Sequence, residues 1–512
     1  MPSATLLPFS PVKLALLVGW VYLCLYLVQR VQFSALVSKK YKPVANITTL
    51  FTGPVLLLLL QIIETIRNIR ASDENFIKTI MEQLQNLIAS IKSSGFVKPR
   101  NTQEITLLNS SGRSIKDIYG QDKNQKQRSH ILELTEQIVL TAINDRASDI
   151  LIDPRDEANY TVRYRVDGML RLAYEIDTEV SKAVINSIKA VSDMDIAERR
   201  RPQDGSFIAK IDDSTCSFRV SSAGVINGEK LSIRILNRQA ASLTINDIGF
   251  SQKQQKVIRD AISKPAGMIL ICGPTGSGKT TTMYGMLNEI DFFTHNVITV
   301  EDPIECVLPN TSQIEVNPKA DITFAKTLRS MLRQDPDVIC VGEIRDEETA
   351  SIALRAAQTG HLVMATLHCN SNASALVRLM DLGITPLLLA SGLSVLISQR
   401  LVRKLCSHCK TRAELTPSQI HDFRRRKINY ANIFQANGCE QCNGTGYYGR
   451  TAICDILVLN DALKNGIVNN EMLLAQLKKE GDQKGKSNLQ KQGVKKIVSG
   501  ITGLEELKRV VG

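Results

Sequence analysis

The segment Gly273-Pro274-Thr275-Gly276-Ser277-Gly278-Lys279-Thr280 constrains the fold of this chain more than any other. It follows the apolar run Met268-Ile269-Leu270-Ile271 and leads into a helix-compatible stretch from Thr281. A glycine-rich turn between a strand and a helix lets backbone N–H groups converge on phosphate oxygens. The helix then aims its positive end at the same point. Residues Gly273 to Thr281 are therefore expected to cradle ATP. Lys279 would reach the β- and γ-phosphates, and the Thr280 hydroxyl would ligate Mg2+.

Around this loop the pattern alternates strand and helix. Strands are expected at 268–272, 297–300, 338–341 and 362–366, and helices at 280–290, 323–333, 347–358 and 372–380. That predicts an α/β domain with a parallel sheet over residues 246–512. Ahead of it, short alternating runs such as Thr161-Val162-Arg163-Tyr164-Arg165-Val166 surround a helix near 179–192, which predicts an α+β domain over 130–245. Residues 71–129 read as a helical stalk, from Glu74 to Ile91, followed by a polar linker. The Lys-rich tail from Lys478 to Lys496 reads as a solvated helical face.

The net charge of +12 is unevenly placed. Residues 1–63 contain no Asp or Glu and carry Lys13, Arg30, Lys39, Lys40 and Lys42. Two apolar stretches lie there, Leu14–Val28 and Leu50–Ile63, and residues 1–70 are read as a membrane-anchoring region. A pair of buried helices is the competing reading. A hairpin with both segments spanning puts the basic linker outside, against the positive-inside tendency, and a re-entrant second segment removes that conflict. The rest of the chain is only mildly basic, so direct nucleic-acid contact is not expected.

Two strand-end acids stand behind the loop. Glu343 closes the apolar run from Val338 and is expected to hold Mg2+ beside Thr280. Glu301 closes Val297-Ile298-Thr299-Val300 and is the candidate for orienting the attacking water. His361 and His368 bracket the strand Leu362–Thr366, which points to phosphate sensing or coupling. Of eleven cysteines, four form two CxxC pairs, Cys406/Cys409 and Cys439/Cys442, with 29 residues between the pairs. Four thiolates complete a tetrahedral Zn2+ site, with an inserted helix expected between the knuckles. His408 and Cys454 are possible substitute ligands, and a redox CxxC is the alternative.

From about residue 130 onward the chain resembles the secretion ATPases of type II secretion and type IV pilus assembly. The matching segments include Ala147-Ser148-Asp149-Ile150, Arg163-Tyr164-Arg165-Val166-Asp167-Gly168, the phosphate loop and Glu301-Asp302-Pro303-Ile304-Glu305. They continue through Gly342-Glu343-Ile344-Arg345-Asp346, Thr359-Gly360-His361, Thr366-Leu367-His368, Gln399-Arg400-Leu401-Val402-Arg403 and the cysteine pairs. The resemblance implies a PAS-like domain joined to a RecA-like ATPase domain that carries a zinc element at 400–450 and a C-terminal helical tail. It implies a homohexamer at the inner membrane, facing the cytoplasm and working on a platform protein. It makes Glu301 an acidic-box residue, Glu343 the Walker B acid, and His361 and His368 a histidine box. It makes Arg219, Arg234, Arg329 and Arg333 phosphate-facing.

The chain departs from that family at Leu151-Ile152-Asp153 and Ser407-His408, and in its apolar start. A membrane-anchored nucleotide-binding scaffold and a DNA-uptake or conjugation motor are the alternative functions. The exported substrate is not legible in the sequence.

Overall fold

The first of two large sheets is built from alternating apolar and polar residues. Its strands are β1 (Ile105–Leu108), β2 (Ala147–Pro154), β3 (Asn159–Val166), β4 (Met169–Asp177), β5 (Gln203–Ile211), β6 (Ser214–Val225) and β7 (Gly228–Leu236). They lie in the order β1-β5-β6-β7-β2-β3-β4, and every pairing is antiparallel. Alternation gives this sheet one apolar face. That face packs on the helices Gln125–Asn144 and Thr178–Val191 around Ile138, Ile150, Val162, Phe207 and Phe218, all at most 1% exposed. The Phe207 and Phe218 rings stack with centroids 4.5 Å apart.

The computed structural model describes residues 104–119, 125–212, 214–236, 242–469 and 488–512. Thr102–Gly512 forms one compact unit. The proposed membrane region, the stalk and the linker up to residue 103 lie outside the described residues, as do 470–487 of the tail. Among the described residues no helix is long and apolar enough to cross a membrane. The polar linker is shorter than the sequence suggested. Ile105 and Leu107 are buried in β1 against β5, and Ile115 is fully buried. The apolar residues there are too few and too widely spaced to stand out among Lys, Ser and Gly.

The second sheet contains β8 (Gly267–Cys272), β9 (Val297–Glu301), β10 (Ser312–Glu315), β11 (Val338–Val341), β12 (Leu362–Leu367) and β13 (Leu393–Leu405). A short pair follows, β14 (Thr411–Arg412) with β15 (Phe434–Gln435), and then β16 (Tyr447–Val458). The order is β10-β9-β11-β12-β8-β13-β16. It is parallel except for β16, which runs antiparallel to β13. Strands β8, β9, β11 and β12 are buried at every position, as helices on both faces require. The helix Asn488–Val498 is not a solvated face. Leu489, Gly493 and Ile497 recur every four residues and are buried. Lys496 Nζ donates to the carbonyl of Gly249 at 2.6 Å and to Thr451 at 3.0 Å.

Among the described residues, side chains link the two sheets at two places. Arg219 of β6 donates to the Ile304 carbonyl at 3.1 Å and pairs with Glu315 at 3.5 Å. Beside the cysteines, Asn443 Nδ2 donates to Asp145 at 2.7 Å, and Gly449 N–H donates to Asp167 at 2.9 Å. The Arg146 guanidinium lies 3.5 Å from the Tyr448 ring centroid.

Candidate nucleotide site and metal centre

The glycine-rich loop leaves the C-terminal end of β8, the edge of a parallel sheet at which ligands bind. Gly276 and Gly278 take φ of 75° and 84°, left-handed values that a side chain resists. A Cβ on Gly273 would lie 2.3 Å from Ser277 Oγ, so the loop closes only around glycine. Ser277 Oγ is buried and has no protein partner. Lys279 opens the helix Lys279–Leu287, and its Nζ donates to the loop carbonyls of Gly273 at 3.0 Å and Pro274 at 3.3 Å. Burial lowers its pKa, while the Glu343 charge opposes that. An unsatisfied hydroxyl and an ammonium making do with carbonyls are the two groups a phosphate would satisfy, so the residues present fit a nucleotide. Thr280 and Thr281 are half-buried in the first helical turn.

One residue that sequence reading left without a role supports the loop. Gln399 of β13 is fully buried. Its Nε2 donates to the Ser277 carbonyl at 2.8 Å, and its Oε1 accepts from Thr282 at 2.9 Å. It therefore ties both sides of the Lys279 turn to the neighbouring strand. The sequence signals were a polar residue within an apolar stretch and its place at the head of the family-matching segment Gln399–Arg403.

Glu343 lies just past β11. It forms an ion pair with Arg345 and faces His368 Nε2 at 3.5 Å. Burial and the nearby Lys279 lower the His368 pKa, with Glu343 opposing. His361 sits elsewhere. Its Nδ1 meets the Ala356 carbonyl at 2.9 Å, and its own carbonyl accepts from Gly267 at the start of β8. It is thus on the opposite edge of the sheet, about 20 Å away by strand length. Within one chain, His368 joins the site and His361 does not.

Glu301 is 2% exposed. Tyr284 donates to it at 2.5 Å, Thr299 at 2.8 Å and Gln313 at 3.0 Å. These donors hold its carboxylate at the end of β9. Glu305, four residues on, is the acid nearer the other sheet. It keeps surface exposure. Desolvation nevertheless raises its pKa with help from Glu301, against Arg234, Arg219 and Lys279.

The four arginines separate into pairs. Arg219 and Arg234 are cross-strand partners on β6 and β7 and share the field at Glu305. Arg234 also lies 3.5 Å from Asp149. Arg329, on the helix Phe324–Met331, pairs with Glu348, and Arg333 donates to the Arg329 carbonyl. Both of these partners are on the second sheet's own helices and loops.

The four cysteines converge. The Sγ atoms of Cys406, Cys409, Cys439 and Cys442 all lie within 4.8 Å of one another. Cys406–Cys439 and Cys409–Cys442 are 3.8 Å apart, and Cys439–Cys442 is 3.7 Å. A disulfide would need about 2.05 Å. Four thiolates about 2.3 Å from a tetrahedral Zn2+ would stand about 3.8 Å apart, so the set fits zinc. Burial resists ionisation of Cys442, but the N–H groups of Cys439 and Gly446 and the neighbouring thiols outweigh it and bring the pKa to about 6. Cys409 is pushed the other way, to about 11, chiefly by desolvation. Neither substitute ligand belongs to the cluster. Cys454 sits in β16 opposite Gln399, where burial pushes its thiol up to about 12, and His408 is outside the set. A helix, Pro417–Arg425, fills the gap between the knuckles.

The family model for type II/IV secretion system proteins matches residues 124–509. The chain belongs to this family. It is 40% identical over 386 residues to the type II secretion system protein E of Pseudomonas aeruginosa, covering 75% of this chain and 76% of that protein. It is 40% identical over 390 residues to the type IV pilus assembly ATPase PilB of Acinetobacter baylyi, covering 75% of this chain and 67% of that one. Among solved structures, the pilus retraction motor PilT with bound ADP aligns with a TM-score of 0.50 at 27% identity, over 73% of this chain and 95% of PilT. The Legionella pneumophila ATPase DotB aligns with a TM-score of 0.55 at 20% identity, over 74% and 95%, a likeness of fold.

Proposed function

We propose that this secretion-family chain hydrolyses Mg2+-ATP as the motor of type II secretion pseudopilus or type IV pilus assembly. The observation that carries the proposal is the phosphate loop. Lys279 and an unsatisfied Ser277 hydroxyl stand at the end of β8, in the field of Glu343. Thr280 and Glu343 would hold Mg2+, which supplies charge neutralisation at the β- and γ-phosphates. Lys279 binds the phosphates, Gln399 keeps the loop in shape and His368 holds Glu343 in place. Glu301 at the end of β9, or the more exposed Glu305 four residues on, would take a proton from water. Arg219 and Arg234 come from the other sheet to the same side, where guanidinium opposes developing phosphoryl charge. Arg329, Arg333 and His361 would then act across a subunit boundary.

The antiparallel domain is read as PAS-like and the parallel one as RecA-like, with ATP between them. A homohexamer acting on an inner-membrane platform protein from the cytoplasmic side, anchored by residues 1–70, completes the reading. Zn2+ on Cys406, Cys409, Cys439 and Cys442 is structural, because four thiolates leave no open coordination position. The test is phosphate release by the full chain in detergent, beside Lys279→Ala. Turnover lost in the variant supports the motor. Equal turnover in both, or none in either, refutes it.

A further inference from the structure

Independent of the nucleotide loop, the first sheet contains a cavity of about 650 Å3 at the β6–β7 turn. That volume lies within the range of small-molecule pockets, roughly 300–1,000 Å3. Ile185, Val225 and Ile226 give it an apolar side, and Lys182, Arg199 and Arg200 a basic one. Ile226 is 89% exposed and its neighbour Val225 42%, so apolar surface at the turn is open to an occupant.

The walls are built by close backbone approach. A Cβ on Gly224 would lie 2.8 Å from the Arg199 carbonyl, so the basic segment is pressed against the hairpin. A Cβ on Gly228, at φ 151°, would lie 1.9 Å from the Tyr160 hydroxyl, which itself accepts from Glu229 N–H at 3.2 Å. The single acid in the lining, Glu229, is already neutralised by the fully buried Lys189, whose Nζ is 2.8 Å away. Lys182 has an exposed partner in Glu179. Among the described residues no carboxylate forms an ion pair with Arg199 or Arg200, while the adjacent Arg201 takes Glu198.

We propose that this cavity binds a small organic anion, a phosphate-class group on an aromatic or apolar body. Two guanidinium groups without acid partners supply the charge, and the Ile185–Ile226 side takes the body. A bare phosphate would leave the apolar half uncovered. The location gives binding a consequence. The same two strands carry the cross-strand pair Arg219 and Arg234, about 20 Å along the hairpin from the turn. An occupant at the turn thus bears on the element that touches Ile304.

The probe is 1-naphthyl phosphate, followed by fluorescence anisotropy on the full chain with saturating Mg2+-ADP present, so that the nucleotide loop is filled. One saturable site per chain is expected. Arg199→Glu with Arg200→Glu should weaken it by at least about tenfold, and Ile226→Ser by a few-fold. Lys279→Ala should leave it unchanged. Circular dichroism checks folding, and Arg200→Gln is the milder substitute should the double reversal not fold. Binding that survives the charge reversal, vanishes with Mg2+-ADP or is displaced equally well by inorganic phosphate overturns the proposal.

Discussion

The phosphate loop and the four-cysteine centre are both held by one strand, β13, the first at its middle and the second just past its end, and are built on opposite principles. At Gln399 the strand supports a loop with polar groups in waiting: Ser277 Oγ lacks a partner and Lys279 borrows carbonyls. Just past Leu405, the cysteines already stand at zinc-like separations and receive N–H donors from Gly438, Cys439 and Gly446. A site that must exchange its ligand is left unsatisfied, and a site that must keep its ligand is saturated. The two long strands joining them, β13 and β16, also carry Gly449, which meets Asp167 of the first sheet.

The sharpest way to break this contrast is at Glu343. Glu343→Gln should cut turnover by about 10²–10³-fold while nucleotide binding persists, because charge at the transferring phosphoryl is the main catalytic term. Loss of binding together with turnover would make Glu343 a folding residue instead. Next in size is the cysteine centre. Cys409→Ser with Cys442→Ser should release about one zinc per chain and lower the melting temperature, since metal-binding energy is folding energy. A variant that melts like the parent would show the cluster to be dispensable.

Gln399→Ala addresses the joint between the two regions. It leaves the Ser277 carbonyl and the Thr282 hydroxyl without partners, a cost of about 1–3 kcal/mol. That predicts a rise in KM or a fall in kcat totalling about 10- to 100-fold, with zinc content unchanged. Gln399→Glu should do no better, because it points a second acceptor at the Ser277 carbonyl.

The smallest effect is a pH limb. Burial and Lys279 hold His368 below the usual histidine value, so it is neutral at pH 7 and charges only below about pH 6.5. A depressed histidine contributes stability that is complete above its unfolded pKa and is lost as pH falls below it. Protonation beside Glu343 would also tie up the acid proposed to hold Mg2+. Turnover should therefore decline on the acid side, and His368→Gln should flatten that decline. An identical profile in the variant would remove His368 from the site.

How much of this was legible follows from how local each signal is. The loop, Glu343 and the cysteine pairs are contiguous motifs whose chemistry depends on neighbours in sequence. The enclosure of Glu301 was not legible, because its donors Tyr284, Thr299 and Gln313 come from separate elements. Strand β13 was missed because Gln399, Arg400 and Arg403 interrupt its apolar run. Its partner β16 begins more than forty residues after β13 ends. The helical reading of the tail held for Asn488–Val498, but its lysines hid the buried side that Leu489, Gly493 and Ile497 mark. The histidines were legible as the two residues bracketing one strand, which sends them to opposite edges of the sheet.

The most direct test measures phosphate release and zinc content on the same samples of the full chain and of Lys279→Ala. The account predicts that the variant loses turnover and keeps about one zinc per chain. Turnover that persists in the variant, or zinc that leaves along with it, would contradict a chain in which the loop does the chemistry and the cysteine centre holds the fold.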